Sequence, residues 1–255
     1  FKTHLGSYSQ IILYEHPKFF TGHIAKLVFH RATMKHYAES HSCKYVEFHE
    51  DPIIKGPLTI YDPTDKQILR NIKKYCKDNK ISLTILDTKL FYLTVDELKT
   101  YVGPNHNSSF YKWVRRTKNI MMVGDKPLGG KWSFDKENRL PFPADYSDSV
   151  TFLDNKWIRE AKQYVSKHFP TAIGEPNIFI PFTEPELHFK KFIAERLKNF
   201  GPYEDAISNK VTIGFHSAIS ALLNVGILEV GWVIEQVLES SAPIQSKEGF
   251  IRQVI

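Results

Sequence analysis

Cysteine is scarce in this chain of 255 residues, with Cys43 and Cys76 its only two. Two cysteines exclude a disulfide scaffold and a four-cysteine metal site, and they favour an intracellular, cytoplasmic protein. Long apolar runs are also absent, since none approaches the roughly eighteen residues of a membrane span, so we expect no membrane partner. The chain begins at Phe1 without a signal-peptide pattern or an initiator Met, which indicates a fragment or a processed product.

Several well-known chemical motifs are missing as well. The sequence contains no Walker A pattern, no G-x-G-x-x-G, no H-E-x-x-H and no G-x-S-x-G. Of its eleven histidines, six lie between His16 and His49, but no two of these have the i, i+4 spacing of a helical zinc site. We therefore predict no metal site and assign no catalytic residue.

The net charge of +6 is unevenly distributed along the chain. Residues 108–140 carry eight Lys or Arg against three Asp or Glu, whereas residues 141–255 carry eleven against fourteen. In the segment 110–118 aromatic residues alternate with cations, which suits contact with phosphates but also suits a solvated helix face over an aromatic core. The predicted nucleic-acid contacts are Lys112, Arg115, Arg116 and Lys131.

The first hundred residues alternate between strand and helix patterns. Predicted strands cover 10–15, 45–49, 58–61 and 81–86, and predicted helices between them cover 23–41 and 65–79. Thr94 and Glu97 form a capping box that opens a further short helix. Strands separated by helices predict parallel βαβ units. A stretch rich in Gly and Pro, at 124–143, predicts a long loop.

Strand patterns mostly disappear in the second half of the chain. Predicted helices cover 154–169, 185–201, 216–224, 229–240 and 246–255, with Asp154 and Ser246 as N-caps of the first and last. The fold class is therefore α/β, with an N-terminal Rossmann-like parallel-sheet domain followed by the start of an all-α domain. The last helical pattern still runs at Ile255, which again indicates a fragment.

One turn carries two hydroxyl groups in a short space. His216-Ser-Ala-Ile-Ser220 follows Gly214 and opens the predicted helix 216–224. Hydroxyls and free N–H groups at the start of a helix can bind a phosphate, but they can equally form an ordinary N-cap. Spacing alone leaves both interpretations open.

Five segments, in order, resemble a known family. They are Phe110-Tyr-Lys-Trp-Val-Arg-Arg116, Gly129-Gly-Lys-Trp-Ser-Phe-Asp135 with Glu137-Asn-Arg139, Gly201-Pro-Tyr-Glu-Asp-Ala206, His216-Ser-Ala-Ile-Ser-Ala-Leu-Leu-Asn-Val-Gly-Ile-Leu228 and Glu248-Gly-Phe-Ile-Arg-Gln-Val-Ile255. Together they resemble the deoxyribodipyrimidine photolyase-related branch of the cryptochrome/photolyase family, which includes bacterial (6-4) photolyases with an iron–sulfur cluster. The chain is similar to the N-terminal half of such proteins, and Phe1–Leu5 resembles the tail of their first strand.

The resemblance implies three segments and a flavin cofactor. Residues 1–123 would be the photolyase-like α/β domain, 124–153 the interdomain linker and 154–255 an incomplete helical domain that binds FAD. In the family a hydroxyl-rich turn holds the FAD phosphates, and the turn at 216–220 matches it except that His216 replaces a threonine. The implied cofactor-binding residues are Tyr203, His216, Ser217, Ser220, Asn224, Arg252 and Gln253. Some relatives also hold a lumazine-type antenna chromophore, while the iron–sulfur cysteines would lie beyond Ile255.

The resemblance predicts a light-dependent DNA repair flavoprotein. The complete protein would be a carbon–carbon lyase that acts, as a monomer, on (6-4) or other pyrimidine dimers in damaged DNA. We do not expect this chain to be active alone, since much of the FAD site would be missing. Two alternatives stay open: a cryptochrome-like blue-light photoreceptor, and a flavin-free nucleic-acid-binding or interaction module.

Overall fold

The computed structural model describes Tyr8 and residues 10–255. Phe1–Leu5, predicted to be the tail of a strand, lie outside these residues. The chain divides into two compact units, one formed by Phe1–Gly56 with Val150–Pro185 and the other by Pro57–Ser149 with Glu186–Ile255. Both units are discontinuous in sequence, whereas the domains implied by the resemblance are continuous. The boundaries of those domains stay a prediction.

The first unit contains one parallel βαβ arrangement. Strand β1 (Ile12–Tyr14) pairs in parallel with β2 (Lys44–Val46), and helix α1 (Ile24–Ser40) connects them. Helix α1 packs against α5 (Lys156–His168), because both helices bury apolar faces. The buried side chains of these faces are Leu27, Val28, Phe29, Ala32, Ile158, Ala161 and Val165. The predicted strands and helices of this part are confirmed.

A buried arginine links the elements of the first unit. The Arg31 guanidinium donates to Glu15 at 3.0 Å, to Glu47 at 3.1 Å and to Glu160 at 3.0 Å. The Tyr164 ring lies 3.2 Å from the guanidinium carbon. Burial opposes the charge of Arg31, but the bonds to Glu160 and the charge of Glu15 raise its pKa above the ordinary value.

The second unit begins with another parallel βαβ arrangement. Strand β3 (Leu58–Tyr61) pairs in parallel with β4 (Leu83–Leu86), and α2 (Lys66–Asp78) connects them. Helix α3 (Val95–Lys99) has the predicted capping box, with Thr94 Oγ1 accepting the Glu97 N–H at 3.1 Å. Helix α4 (Asn107–Thr117) contains the basic and aromatic segment. These elements agree with the predicted alternation of strands and helices.

Short elements follow where we predicted a loop. Strands β5 (Met122–Val123) and β6 (Lys126–Pro127) form an antiparallel hairpin whose turn includes Gly124, at φ +55°. Single 3-10 turns follow at Leu128–Gly130 and Asp135–Glu137. The strands described here form three two-stranded sheets rather than one larger sheet.

The rest of the second unit is helical. The helices are α6 (Pro185–Glu195), α7 (Leu197–Phe200), α8 (Ser220–Asn224), α9 (Val230–Glu239) and α10 (Ile244–Val254). Their core is aromatic, since Phe250 lies 5.8 Å from Phe189, 5.2 Å from Phe192 and 5.4 Å from Phe200. The predicted class, α/β followed by helices, is confirmed. In the part of the chain described, no helix is both long and apolar enough to cross a membrane.

Three predicted helix starts are wrong. Asn155, not Asp154, caps α5, because its side chain accepts the Ile158 N–H at 3.0 Å. Helix α10 begins at Ile244, so Ser246 lies inside it and bonds instead to Gly201 and Lys198, each at 3.0 Å.

The third error concerns the hydroxyl-rich turn. Helix α8 begins at Ser220 rather than at His216, because Ala218 has φ +55° and interrupts the helix. The predicted helix 185–201 is also broken, at Arg196, where α6 ends and α7 begins.

Candidate functional site

One carboxylate fixes the segment that leads into the hydroxyl-rich turn. Asp148 accepts N–H bonds from Thr212, from Ile213 at 2.9 Å and from Gly214 at 2.6 Å. Burial raises the pKa of Asp148, but the three N–H groups outweigh this effect, and the net direction is downward. No local sequence pattern marks Asp148, because its partners lie 64 to 66 residues further along the chain.

The two serines of the turn have free hydroxyls. Ser217 is buried and Ser220 is exposed, and within the described chain neither hydroxyl makes a hydrogen bond to protein. His188 Nε2 lies 2.9 Å from the Ser217 carbonyl oxygen. A carbonyl can only accept, so His188 is the donor. The exposed ring of His216 packs edge-on against Phe200, at 5.4 Å.

Tyr203 belongs to an aromatic cluster beside this turn. Its ring lies 5.1 Å from Phe215 and 6.1 Å from Phe142. Tyr146 completes the cluster, 4.8 Å from Phe215, and burial followed by the charge of Asp148 raises its pKa. The Tyr203 hydroxyl has no protein partner among the residues described. The cluster therefore places an apolar wall around Phe215, two residues before Ser217, with two hydroxyls, of Tyr146 and Tyr203, that are unpaired within the described residues.

Arg196 is a cation that sequence analysis did not single out. Its Nε is buried and has no hydrogen-bond partner, and the nearest ring is Phe192, 5.7 Å from the guanidinium carbon. Burial lowers the pKa of Arg196. Burial lowers the pKa of His188 and the charge of Arg196 lowers it further, while the three N–H groups and then Arg196 lower the pKa of Asp148. No sequence motif marks this residue.

Arg252 and Gln253 are occupied by protein carboxylates. Arg252 lies 3.2 Å from Glu204 and 3.5 Å from Asp135, and Gln253 Nε2 donates to Glu204 at 2.5 Å. Either side chain would have to leave these partners before it could bind a cofactor. Asn224 is exposed on α8, with no side-chain partner within the described residues.

Glu248 connects three of the segments that carry the resemblance. Its buried carboxylate accepts the Tyr111 hydroxyl and the Phe134 N–H, each at 2.9 Å, and lies 3.4 Å from Arg252 Nε. Burial, followed by the charge of Glu248, raises the pKa of Tyr111. Glu248 therefore joins the segments 110–116, 129–135 and 248–255 at a single side chain.

The basic stretch separates into structural and exposed cations. Arg115 is fully buried and donates to the carbonyls of Ile120 at 3.1 Å, Met121 at 2.7 Å and Trp132 at 3.0 Å. Each of its three nitrogens donates to a carbonyl inside the protein, so Arg115 cannot reach a phosphate without breaking the hairpin contacts. We therefore withdraw it from the predicted nucleic-acid surface.

The remaining predicted nucleic-acid residues are accessible. Arg116 is exposed and its guanidinium carbon lies 4.5 Å from the centre of the Trp132 ring. Lys112 is half-buried and has no ion-pair partner in the described chain. Lys131 is exposed but pairs with Glu137 at 2.6 Å. Of the four predicted residues, Lys112 and Arg116 are thus the two that are neither buried nor paired with a carboxylate in the described chain.

Comparison with known proteins agrees with the segments identified in the sequence. Residues 55–180 match the family described as deoxyribodipyrimidine photo-lyase-related protein. The chain is 25% identical over 265 aligned positions to a (6-4) photolyase of Agrobacterium fabrum, covering 91% of this chain and 52% of that protein. It is also 28% identical over 151 positions to an uncharacterized protein of Acanthamoeba polyphaga mimivirus, covering 51% of this chain and 77% of that protein.

The matches cover different fractions of this chain and of its relatives. The chain spans about half the length of the bacterial photolyase that it matches. The similarity to that protein nevertheless runs through nearly all of this chain, and the family match includes the segments at 110–116 and 129–135. These findings confirm the resemblance inferred from the motifs, which is to the photolyase-related family.

Proposed function

We propose that this chain is part of a light-dependent DNA repair flavoprotein that binds FAD and acts on (6-4) or other pyrimidine dimers. The observation that carries the proposal is the turn at 216–220, where the Ser217 and Ser220 hydroxyls bond to no protein group among the described residues. Binding sites for small molecules usually combine an apolar wall with a few polar side chains that are free to bond to the ligand. The turn and its aromatic cluster have this combination. The similarity to a (6-4) photolyase supports FAD and damaged DNA as the ligands.

The residues present fit the diphosphate of FAD. The Ser217 and Ser220 hydroxyls would donate to phosphate oxygens, and Asp148 holds the backbone before them in place, so little ordering is needed on binding. Tyr203 would supply a further hydroxyl from the aromatic cluster. The bound cofactor supplies the light-driven electron transfer that splits a dimer, while the protein supplies position and a dry pocket.

The proposed DNA surface is formed by Lys112 and Arg116. Their charges would contact phosphates, and the Arg116–Trp132 pair offers a flat face beside them. Lys131 would join this surface if its bond to Glu137 were exchanged for a phosphate. A dimer must leave the base stack to reach a cofactor, so these contacts would hold the flanking backbone.

Flavin binding is the first test of the proposal. The 255-residue chain is mixed with FAD, separated from free cofactor and examined by visible absorption. We expect bound flavin in the wild type, and at least tenfold weaker binding in the double variant Ser217→Ala with Ser220→Ala. Ser166→Ala, an exposed hydroxyl on α5, is the control and should bind normally. Absence of flavin from the wild type would reject FAD binding by this chain.

A second experiment separates repair from the two alternatives. The complete protein that contains this chain, loaded with flavin, is illuminated with blue light in the presence of ultraviolet-damaged DNA, and the remaining dimers are counted against a dark control. Light-dependent loss of dimers supports repair. Bound flavin without dimer loss favours the cryptochrome-like photoreceptor, and DNA affinity without any flavin favours the binding module.

A further inference from the structure

Helix α2 carries a row of exposed cations along one face, here called the basic stripe. Its members, spaced four, three and four residues apart, are Lys66, Arg70, Lys73 and Lys77. Because an α-helix has 3.6 residues per turn, this spacing keeps all four within about 60° of one another around the axis. The buried side chains of the helix, Ile68 and Cys76, lie on a different face. The stripe is therefore directed to solvent along most of the helix.

The basic stripe has no ion-pair partner in the described part of the chain. Its three lysines make no hydrogen bond or ion pair there, and Arg70 donates only to the neutral amide oxygen of Gln67, at 2.8 Å. The one acidic residue within α2 is Asp78, and it pairs at 2.5 Å with Lys74, which lies outside the stripe. The positive charge of the stripe is thus not neutralised by the residues described.

This arrangement is unfavourable for the helix itself. Like charges three or four residues apart repel each other on a helix surface, and the stripe contains three such pairs in a row. Helix α5 has the opposite arrangement, because its Lys156 pairs with Glu39 and its Arg159 with Asp154. A row of cations that is kept at a repulsive spacing is explained when a polyanion binds along it.

The length and chemistry of the stripe suit a phosphate backbone. The four cations extend along about 17 Å of helix axis. Duplex DNA carries one phosphate charge per about 1.7 Å of its own axis, so a row of this length meets several phosphates. The exposed amides of Gln67 and Asn71 lie beside the stripe and can donate to phosphate oxygens.

A membrane suits the stripe less well. A helix that lies in a membrane surface inserts its apolar face between lipids. Helix α2 already uses that face inside the protein, where Ile68 and Cys76 are buried. Helix α2 also belongs to the same compact unit as Lys112 and Arg116, the residues of the proposed DNA surface.

We propose that the basic stripe is a second DNA surface, which binds the phosphate backbone of undamaged duplex DNA without reading its sequence. The choice of DNA as the polyanion rests on the proposed function, whereas binding along the stripe needs neither flavin nor light. Backbone contacts of this kind let a protein slide and hop along a duplex. The stripe would therefore keep the protein on DNA between lesions.

The test is the salt dependence of binding to undamaged DNA. The 255-residue chain is titrated into a fluorescently labelled duplex at several salt concentrations, and anisotropy gives the affinity. The double variant Lys73→Gln with Lys77→Gln removes two phosphate contacts. We expect its slope of log affinity against log salt to be lower by about 2, and its affinity to be roughly tenfold weaker at about 0.1 M salt.

A matched control removes the same amount of charge elsewhere. Lys74→Gln with Lys99→Gln also takes away two lysines, but these pair with Asp78 and Asp96 and lie outside the stripe. We expect this variant to keep a slope close to that of the wild type. Equal losses of slope in the two double variants would show that net charge alone drives binding, and would overturn the inference.

Further outcomes separate this inference from the proposed function. An unchanged slope in the stripe variant, with a lower slope in Lys112→Gln and Arg116→Gln, would reject the stripe and leave the proposed DNA surface intact. Phosphatidylserine vesicles and polyglutamate are tested in parallel. Binding to either that depends on the stripe, without such binding to DNA, would assign the stripe to a membrane or an acidic protein and overturn the inference. Absence of DNA binding by the wild type would reject both DNA surfaces.

A charge reversal guards against misfolding. Lys77→Glu places a carboxylate four residues after Lys73 and so replaces a repulsive pair by an attractive one. We expect its thermal midpoint to stay at or above that of the wild type, while its affinity for DNA falls at least as far as in the double variant. If Lys73→Gln with Lys77→Gln did not fold, Lys77→Glu alone would decide, and wild-type DNA affinity in this variant would contradict the stripe.

Discussion

At the residue scale, buried charges organise this protein. Arg31 meets three glutamates, Arg115 meets three carbonyls, and Glu248 accepts from Tyr111 and from the Phe134 backbone. Each of these groups is paired because an unpaired ion inside a protein costs several kcal/mol. The pattern explains why Arg115, in the middle of a basic stretch, serves structure and not phosphate binding.

The first prediction concerns the Glu248 carboxylate. Replacing Glu248 with Ala leaves the Tyr111 hydroxyl and the Phe134 N–H without an acceptor, so we expect a loss of about 3 kcal/mol in the free energy of unfolding. Urea denaturation followed by circular dichroism measures it. Glu235→Ala, at an exposed position of α9, is the control and should stay near wild type. Equal stability of the two variants would contradict the structural role of Glu248.

The second prediction concerns pH and Asp148. Folding lowers the pKa of Asp148 below its ordinary value of about 3.9. Ionised Asp148 therefore stabilises the native state fully above that ordinary pKa, and the stabilisation is lost as the pH falls through the lowered pKa. Asp148→Asn should therefore be less stable than wild type at pH 7, by about 2 kcal/mol, with the difference shrinking towards pH 3. Denaturation curves across this range measure the difference.

The control for the pH prediction lies three residues away. Asp145 is exposed and makes no hydrogen bond or ion pair within the described chain, so Asp145→Asn should follow the wild type at every pH. If Asp148→Asn had the same stability as Asp145→Asn at every pH, the hydrogen bonds of Asp148 to residues 212–214 would not contribute to the free energy of unfolding.

At the element scale, glycine is needed where side chains of other segments approach a helix backbone closely. A Cβ at Gly249, in α10, would lie 2.7 Å from Glu204 Oε2 and 2.9 Å from Asn138 Nδ2. Those two atoms are themselves hydrogen-bonded at 2.5 Å, so neither can move freely. A Cβ at Gly231, in α9, would meet nothing within 4 Å. Helix α10 therefore packs closely where α9 does not.

The third prediction uses these two glycines as a pair. Alanine has a higher helix propensity than glycine. Gly231→Ala should therefore raise the free energy of unfolding slightly, by about 0.5 kcal/mol. Gly249→Ala has the same local preference but must displace Glu204 or Asn138, so we expect a net loss of about 1 to 3 kcal/mol. Thermal unfolding ranks the two; Gly249→Ala at or above wild-type stability would be the contrary result.

Elements with a long regular pattern were predictable from sequence, and elements set by distant contacts were not. Helices α2 and α5 repeat apolar residues on one face over three or more turns, which fixes their type. Strands β5 and β6 have two residues each and carry no period. The late start of α8 depends on a positive φ at Ala218, a residue type that does not signal this conformation.

The site was predictable to the same degree. Ser217, Ser220 and Tyr203 lie in segments that resemble the family, so sequence pointed to them. Asp148 and Arg196 carry no motif, and their importance appears only when residues 64 or more positions apart, or a break between helices, are seen in space. The local sequence pattern therefore identified the hydroxyls of Ser217, Ser220 and Tyr203, but not the charged side chains of Asp148 and Arg196.

At the scale of the whole molecule, several of the 34 Lys and Arg side chains are already engaged by protein groups. Arg31 and Arg115 are buried, and Lys118 and Lys131 pair with glutamates. The number of cations free to contact DNA is therefore smaller than the composition suggests, while the net charge is unchanged by the ion pairs. Lys112 and Arg116 gain importance accordingly.

The fourth prediction concerns the salt dependence of DNA binding. Lys112→Gln and Arg116→Gln should each weaken binding to duplex DNA and lower the slope of log affinity against log salt by about 1. Fluorescence anisotropy at several salt concentrations measures this slope. Lys74→Gln, exposed on α2 and paired with Asp78, is the control and should leave the slope unchanged. An unchanged slope in both Lys112→Gln and Arg116→Gln would remove this surface from DNA binding.

The bond between Arg31 and Glu160 joins residues 129 positions apart, and this separation has a consequence for biosynthesis. A ribosome adds on the order of ten residues per second, so α1 is complete on the order of ten seconds before α5 exists. During that interval Leu27, Val28 and Ala32 lack the apolar surface that later covers them. The nascent chain is therefore most exposed to chaperones and to aggregation while residues 41–155 are being made.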